Sequence, residues 1–329
     1  IAERKQKMVF KGFPQVAGYI GQAAVQALAS GAAKPRYLLL AADKLKTALK
    51  LMDEHEETYE VKMYAKCVLF LARIYLSDEF VKEKEGKLDS ASRKKWALEA
   101  VKVLRKFTRD KYADLIAKYT EKSMGLKYAV RLKGALVEAY CNAAQLNAAE
   151  REFNEMKQKY AKADPIVFEN RCNLLIEAFA KMAKQIESTD KVYAESLRRT
   201  ASRIADAWAE SLKARGKFTY SKAIELAHMQ RRLGQLKRAR AAYREFLHKI
   251  GAEHGDLTKI NSQPSAEKRK EWIMVYIQAV MGIADAYADE GKYLRAAQEL
   301  DKLGLLLECT HCHRYFNAKD IPGAKHGIK

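Results

Sequence analysis

Proline is scarce in this 329-residue chain, with five in all, and glycine is modest at 16. So few breakers argue against a turn-rich β architecture and leave the chain free to form long helices. No run of about 18 uninterrupted apolar residues occurs, so no transmembrane helix is expected. Five cysteines are present. Cys67, Cys141 and Cys172 each stand alone in an apolar helical run and read as buried thiols, and their spacing gives no disulfide framework. There is no Gly-rich phosphate loop, nucleophile elbow, H-E-x-x-H motif or recognisable pair of catalytic carboxylates, so nothing names an enzyme. Acidic residues are also short, 41 Asp and Glu against 61 Lys and Arg, for a formal charge of +20. A surface with that excess attracts acidic protein, nucleic acid or anionic membrane, and the charge alone does not choose among them. The chain opens on Ile1 rather than Met, which leaves room for a targeting segment removed ahead of it.

What the sequence does have is helical periodicity. Hydrophobic residues make up 48% and charged residues 31%, an ordinary folding composition. Apolar residues recur at three- and four-residue spacing, and two-residue alternation is nearly absent. Val280, Ile283, Ala284 and Tyr287 form one stripe, followed by Gly291 and then Ala296 and Leu300. Ala223, Leu226, Ala227, Gln230, Gly234, Ala239 and Tyr243 repeat those offsets. Lys133, Leu136, Val137 and Tyr140, with Ala149 and Phe153, give a third copy. Val68, Leu71, Ala72 and Tyr75, resuming at Ala100 and Leu104, give a fourth. Cys172, Leu175, Ile176 and Phe179 open a fifth.

The pattern resembles the tetratricopeptide family, in which a small side chain lets paired helices approach and a ring fills the gap beside it. The match is clear in the two C-terminal copies, fair in the middle and weak before Val61. The opening aromatic is missing and the closing proline mostly so, Pro165 being the nearest candidate. Gly234 and Gly291 are also farther apart than the roughly 34 residues of a regular repeat. The resemblance implies an all-α solenoid of antiparallel helix pairs, about 12–13 helices, with an irregular C-terminal tail. Helices are expected near 15–31, 36–53, 57–77, 90–108, 110–122, 126–145, 147–162, 166–185, 188–213, 217–233, 235–250, 268–290 and 292–308. The expected divisions are 1–60 for N-terminal helices, 61–250 for repeats, 251–266 for a polar hinge, 267–308 for the last pair, and 309–329 for the tail.

One string carries definite chemistry: Cys309-Thr310-His311-Cys312-His313. C-x-x-C-H is the pattern by which c-type haem is attached, two thiols adding across the vinyl groups and the adjacent His ligating iron. His313 is then the proximal ligand, and the distal ligand is His326, His311, a lysine such as Lys325, or none. Zinc is the alternative, with Cys309 and Cys312 joined by His311, His313 or His326. A third reading is two thiols, or a local disulfide, in a C-terminal loop. Haem c is attached outside the cytoplasmic membrane, so that reading implies export to a periplasm-like compartment; without it a cytoplasmic location is expected.

The cationic stretches Lys82–Lys84, Arg93-Lys94-Lys95, Arg105-Lys106, Arg231-Arg232 and Lys237-Arg238 fall on polar helix faces. They read as solvated faces or as docking sites for an acidic protein, with nucleic acid third because no binding motif accompanies them. Asp53-Glu54-His55-Glu56-Glu57 reads as an acidic helix cap rather than a metal cluster. Tyr75, Tyr140, Tyr243, Tyr287, Trp96, Trp208 and Trp272 read as core, and His228 and His248 as structural. Solenoids of this type mostly bind other proteins, so the resemblance implies an interaction or assembly scaffold, self-association included. The alternatives are a monohaem electron carrier steered to an acidic redox partner, and a basic nucleic-acid-associated repeat protein.

Overall fold

A computed structural model describes residues 2–54, 61–109, 123–252, 255–304, 306–308 and 314–317. They form 14 helices and two short strands. The chain divides into two compact units, residues 1–182 and 183–329.

The first unit is built from α1 (Ala2–Ala29), α2 (Pro35–Glu54), α3 (Val61–Tyr75), α4 (Asp78–Glu85), α5 (Ser90–Arg109), α6 (Ser123–Asn142), α7 (Leu146–Tyr160) and most of α8 (Pro165–Ile186). Neighbours in sequence are neighbours in space: α1 lies on α2, α3 on α5, α5 on α6 and α6 on α7. The stripes seen in the sequence face inward, with Val68, Leu71, Ala72 and Tyr75 packed beside Ala100 and Leu104, and Leu136, Val137 and Tyr140 beside Ala149 and Phe153. Each large apolar side chain removed from water in this way contributes about 1.5–3 kcal/mol. Cys67, Cys141 and Cys172 are buried and form no disulfide, and burial pushes the Cys67 thiol up to about 12.

The second unit contains α9 (Lys191–Ala214), α10 (Tyr220–Arg232), α11 (Leu236–Lys249), α12 (Thr258–Asn261), α13 (Ala266–Ala288), α14 (Tyr293–Leu300), β1 (Leu306–Glu308) and β2 (Tyr315–Asn317). Helix α10 packs on α11, α11 on α13 and α13 on α14. Tyr243, Phe246, Ile260, Tyr276, Val280 and Ile283 form the centre of one apolar core.

Three helix pairs turn in the same way. Gly234 (φ 72°) and Gly291 (φ 74°) adopt the left-handed conformation, and so does Ala144 (φ 59°) at the same offset in the third copy. The next residue then donates its backbone N–H back to the stripe: Gln145 to Tyr140 O (2.8 Å), Gln235 to Gln230 O (2.9 Å) and Lys292 to Tyr287 O (2.9 Å). This closure satisfies carbonyls that the helix end would otherwise leave bare.

The structure departs from the sequence reading in several places. Helix α1 starts at Ala2, not near 15, and runs through Pro14. The expected loop from Ser77 to Ser90 contains α4, which Ser77 caps by accepting from Phe80 N (3.4 Å) and Gly86 ends at φ 70°. The polar segment 251–266 lies inside the second unit, and it places α12 and the buried Leu257 and Ile260 in the core. That insertion between α11 and α13 is why Gly234 and Gly291 are so far apart. The helix expected to reach 308 stops at Leu300, and the tail pairs as β1 and β2 instead. Leu300, expected on a buried stripe, is 45% exposed, because only Ala296 and Glu299 of α14 are buried. The helix expected at 110–122 lies outside the described residues.

Candidate functional site

The C-terminal segment is held by its backbone. Strands β1 and β2 pair antiparallel, with Leu306 opposite Asn317, Leu307 opposite Phe316 and Glu308 opposite Tyr315. Asn261, at the end of α12, brackets Tyr315: its Nδ2 donates to Tyr315 O (2.7 Å), and Tyr315 N donates to its Oδ1 (2.8 Å). The amide side chain thus reproduces what a third strand would offer. Tyr315 is buried in the core, and Leu303 and Leu306 pack against the same cluster. Upstream, Tyr276 Oη donates to Lys302 O (3.1 Å).

Cys309, His311, Cys312 and His313 lie between these strands, outside the described residues, as do Lys325 and His326. What is described fixes the ends of their segment: the chain leaves at Glu308 and returns opposite it at Tyr315. Two thiols separated by two residues and followed by an imidazole fit haem c attachment, and the same donors suit a tetrahedral ion. Among the described residues no group of three or more His, Cys, Asp or Glu side chains converges. Asn261 and Tyr315 escaped the sequence reading, since a single Asn before Ser262 carries no signal of a partner so far along the chain.

The cationic faces are largely answered from within. Arg93 Nε donates to Asp78 Oδ1 (2.9 Å), and Lys95 and the Trp96 indole both donate to Glu85 Oε1 (2.9 and 2.8 Å). Arg231 bridges Asp285 and Asp289, the latter at 2.8 Å, and Arg238 donates to Asp206 Oδ1 (2.6 Å). Four of the seven proposed docking cations, Arg93, Lys95, Arg231 and Arg238, are therefore ion-paired. Lys94, Arg232 and Lys237 are exposed. Other pairs are deeper: Lys133 bonds the fully buried Glu152 and also Glu155 (2.8 Å). Arg240, nearly buried, pairs with Glu290 (2.7 Å) and lies 4.5 Å over the Tyr287 ring.

The second unit also has a cleft of about 240 Å³ between the start of α9 and the α10–α11 turn. Its arginines are engaged, Arg198 by Glu187 (2.6 Å) and Arg199 by Glu195 (2.9 Å), and the exposed Lys191 also lines it. His228 Nδ1 and Tyr243 Oη share a 2.7 Å hydrogen bond. Burial, then the charges of Arg231 and Arg232, hold that imidazole below the usual histidine range. The sequence reading gave this imidazole no partner, and the structure supplies the Tyr243 hydroxyl as one.

No protein-family profile matches the chain. No curated protein matches it either. Among solved structures it is similar to one described as a "Circular tandem repeat protein with novel repeat topology and enhanced subunit contact surfaces". That alignment covers 90% of this chain and 77% of the other at 14% identity, with a TM-score of 0.34, too low for a shared fold to be inferred from it.

Proposed function

We propose that this chain is a non-catalytic assembly scaffold of tetratricopeptide-like helix pairs that docks an acidic protein and carries haem c at its C-terminal end. The observation that carries the scaffold reading is the succession of helix pairs with apolar stripes turned inward and a polar, net basic outside. Such a surface offers contact area and long-range attraction without any reacting group. Of the seven candidate docking cations, Lys94, Arg232 and Lys237 are exposed and outside the ion pairs described above. Organising a redox enzyme complex is the role in which both halves of the reading meet. The helical-repeat subunit that arranges bacterial nitrite oxidoreductase into tubules is one protein of that type.

Cys309 and Cys312 would hold the haem through thioether bonds and His313 would ligate its iron, with His326 or His311 as a second candidate ligand; bound there, the group would supply one-electron transfer. Export to a periplasm-like compartment follows from this reading. The second reading is zinc, with Cys309 and Cys312 joined by His311, His313 or His326. Intact-mass measurement under denaturing conditions separates the two. Covalent haem survives as a fixed mass increment on a red protein, and zinc is lost. A colourless chain of bare polypeptide mass, free of metal before denaturation, removes both and leaves the scaffold.

The docking half has its own test. Lys94→Glu, Arg232→Glu and Lys237→Glu together should reduce retention on an immobilised acidic protein by about tenfold or more, with the circular dichroism spectrum unchanged. Unchanged retention would remove the acidic-partner assignment. A haem that exchanges electrons rapidly with an acidic redox protein would move the reading to an electron carrier.

A further inference from the structure

The outer face of α1 differs from every cationic face described above. From Gly12 to Ala33 no residue carries a charge, in a chain that is 31% charged. Pro14, Ala17, Gly18, Gly21 and Ala24 of this helix are buried. Gly12, Val16, Tyr19, Ala23, Gln26 and Ser30 are exposed, Val16 at 55% and Tyr19 at 71%, with Gln15 and Gln22 beside them. The exposed face of a repeat helix normally carries polar residues for solubility. Here that side presents a ring, a branched aliphatic and neutral amides.

We propose that this face is a self-association surface, on which a second copy of the chain lays its own α1 antiparallel. Two observations select a second copy as the occupant. An acidic protein, a nucleic acid or an anionic membrane seeks cations, and from Gly12 to Ala33 there is none. Two copies of a chain with formal charge +20 repel wherever their charges meet, so they approach most easily where charge is missing. Loss of charge with retention of an aromatic is also what distinguishes the centre of protein interfaces. The second observation is the spacing. Gly12, Val16, Tyr19, Ala23, Gln26 and Ser30 alternate gaps of four and three residues, and the series reads the same from either end. A twofold axis beside Gly21 therefore sets Tyr19 against Ala23 of the second copy, large against small, and Val16 against Gln26. This is the seam spacing of paired helices, arranged so that one patch complements itself.

The test uses the full chain in sedimentation velocity across a concentration series. The wild type should self-associate, and more tightly at high salt, since screening relieves the repulsion between copies. Val16→Lys with Gln26→Lys places like charges across the axis and should weaken association by about a hundredfold or more. Val16→Lys with Gln26→Glu places opposite charges there and should restore it. Positions 16 and 26 are about 15 Å apart along one helix, so the restored pair can form only between copies. Both are exposed positions, and circular dichroism reports whether the variants keep their helices. A wild type that stays monomeric overturns the proposal. So do association that weakens with salt, equal association in all three proteins, and loss in both variants.

Discussion

At the scale of single residues, a few close approaches decide what each position tolerates. A Cβ on Gly282 would lie 2.4 Å from the Tyr243 ring, whose hydroxyl is already committed to His228. Gly282→Ala should cost about 1–3 kcal/mol in chemical denaturation, since a packed ring cannot step aside. At Gly134 the added atom would meet the Arg171 side chain, which is buried and reaches Glu138 Oε2 at 3.2 Å. Ala144 is the opposite case: it sits in a left-handed turn that its counterparts fill with glycine. Ala144→Gly should stabilise by ~0.5–1 kcal/mol, the steric relief exceeding the extra chain entropy. A denaturation midpoint that falls would show that the turn holds alanine without strain. For His228 the sign follows from its proton affinity. The folded state holds the imidazole neutral, the unfolded chain does not, so the unfolded state binds more protons and stability falls as pH drops through the ordinary histidine range. Thermal unfolding at pH 7.5 and 5.5 should show a loss on acidification that is smaller in His228→Gln than in the wild type.

At the scale of elements, the sequence stripes located most helices because burial repeats at the helical period. They failed where that period continues past the helix. Leu303, Leu306 and Leu307 keep the three- and four-residue rhythm, yet Gly304 takes φ 51° and the backbone goes on as β1. Apolar spacing reports which side chains are buried and not which backbone carries them. The break near Ala144 was placed, between helices expected at 126–145 and 147–162, but its left-handed residue was not, since alanine is the best helix former and gives no sign of a stop. The cap at Asp190, which accepts from Tyr193 N (2.9 Å), follows an ordinary rule, and Asp190→Ala should cost about 1 kcal/mol. Asn261 is the more telling test of the C-terminal ribbon. Asn261→Ala removes both hydrogen bonds to the Tyr315 backbone. Amide exchange at residues 315–317 should then speed by about tenfold, with α10 and α11 unaffected. Equal protection in both proteins would place the anchor in the Tyr315 ring instead.

At the scale of the chain, charge was legible in amount and not in arrangement. The sequence gives the excess of cations directly, but Arg231 and Asp289, or Arg93 and Asp78, come together only through the fold. Exposed pairs of this kind are worth about 0–1 kcal/mol each, so their main effect is to remove cations from the surface open to partners. The excess of 20 cations survives any internal pairing, so capture by an acidic partner should fall off with salt. The C-x-x-C-H string was legible as a donor set, and the anchoring of its flanks was not. The uncharged side of α1 has a further consequence. A contact that uses one patch on both molecules is consumed when two molecules meet, so it yields a closed pair and never a fibre. Any longer array would need a different joint, leaving the first helix to set the size of the building block and some other surface to set its length.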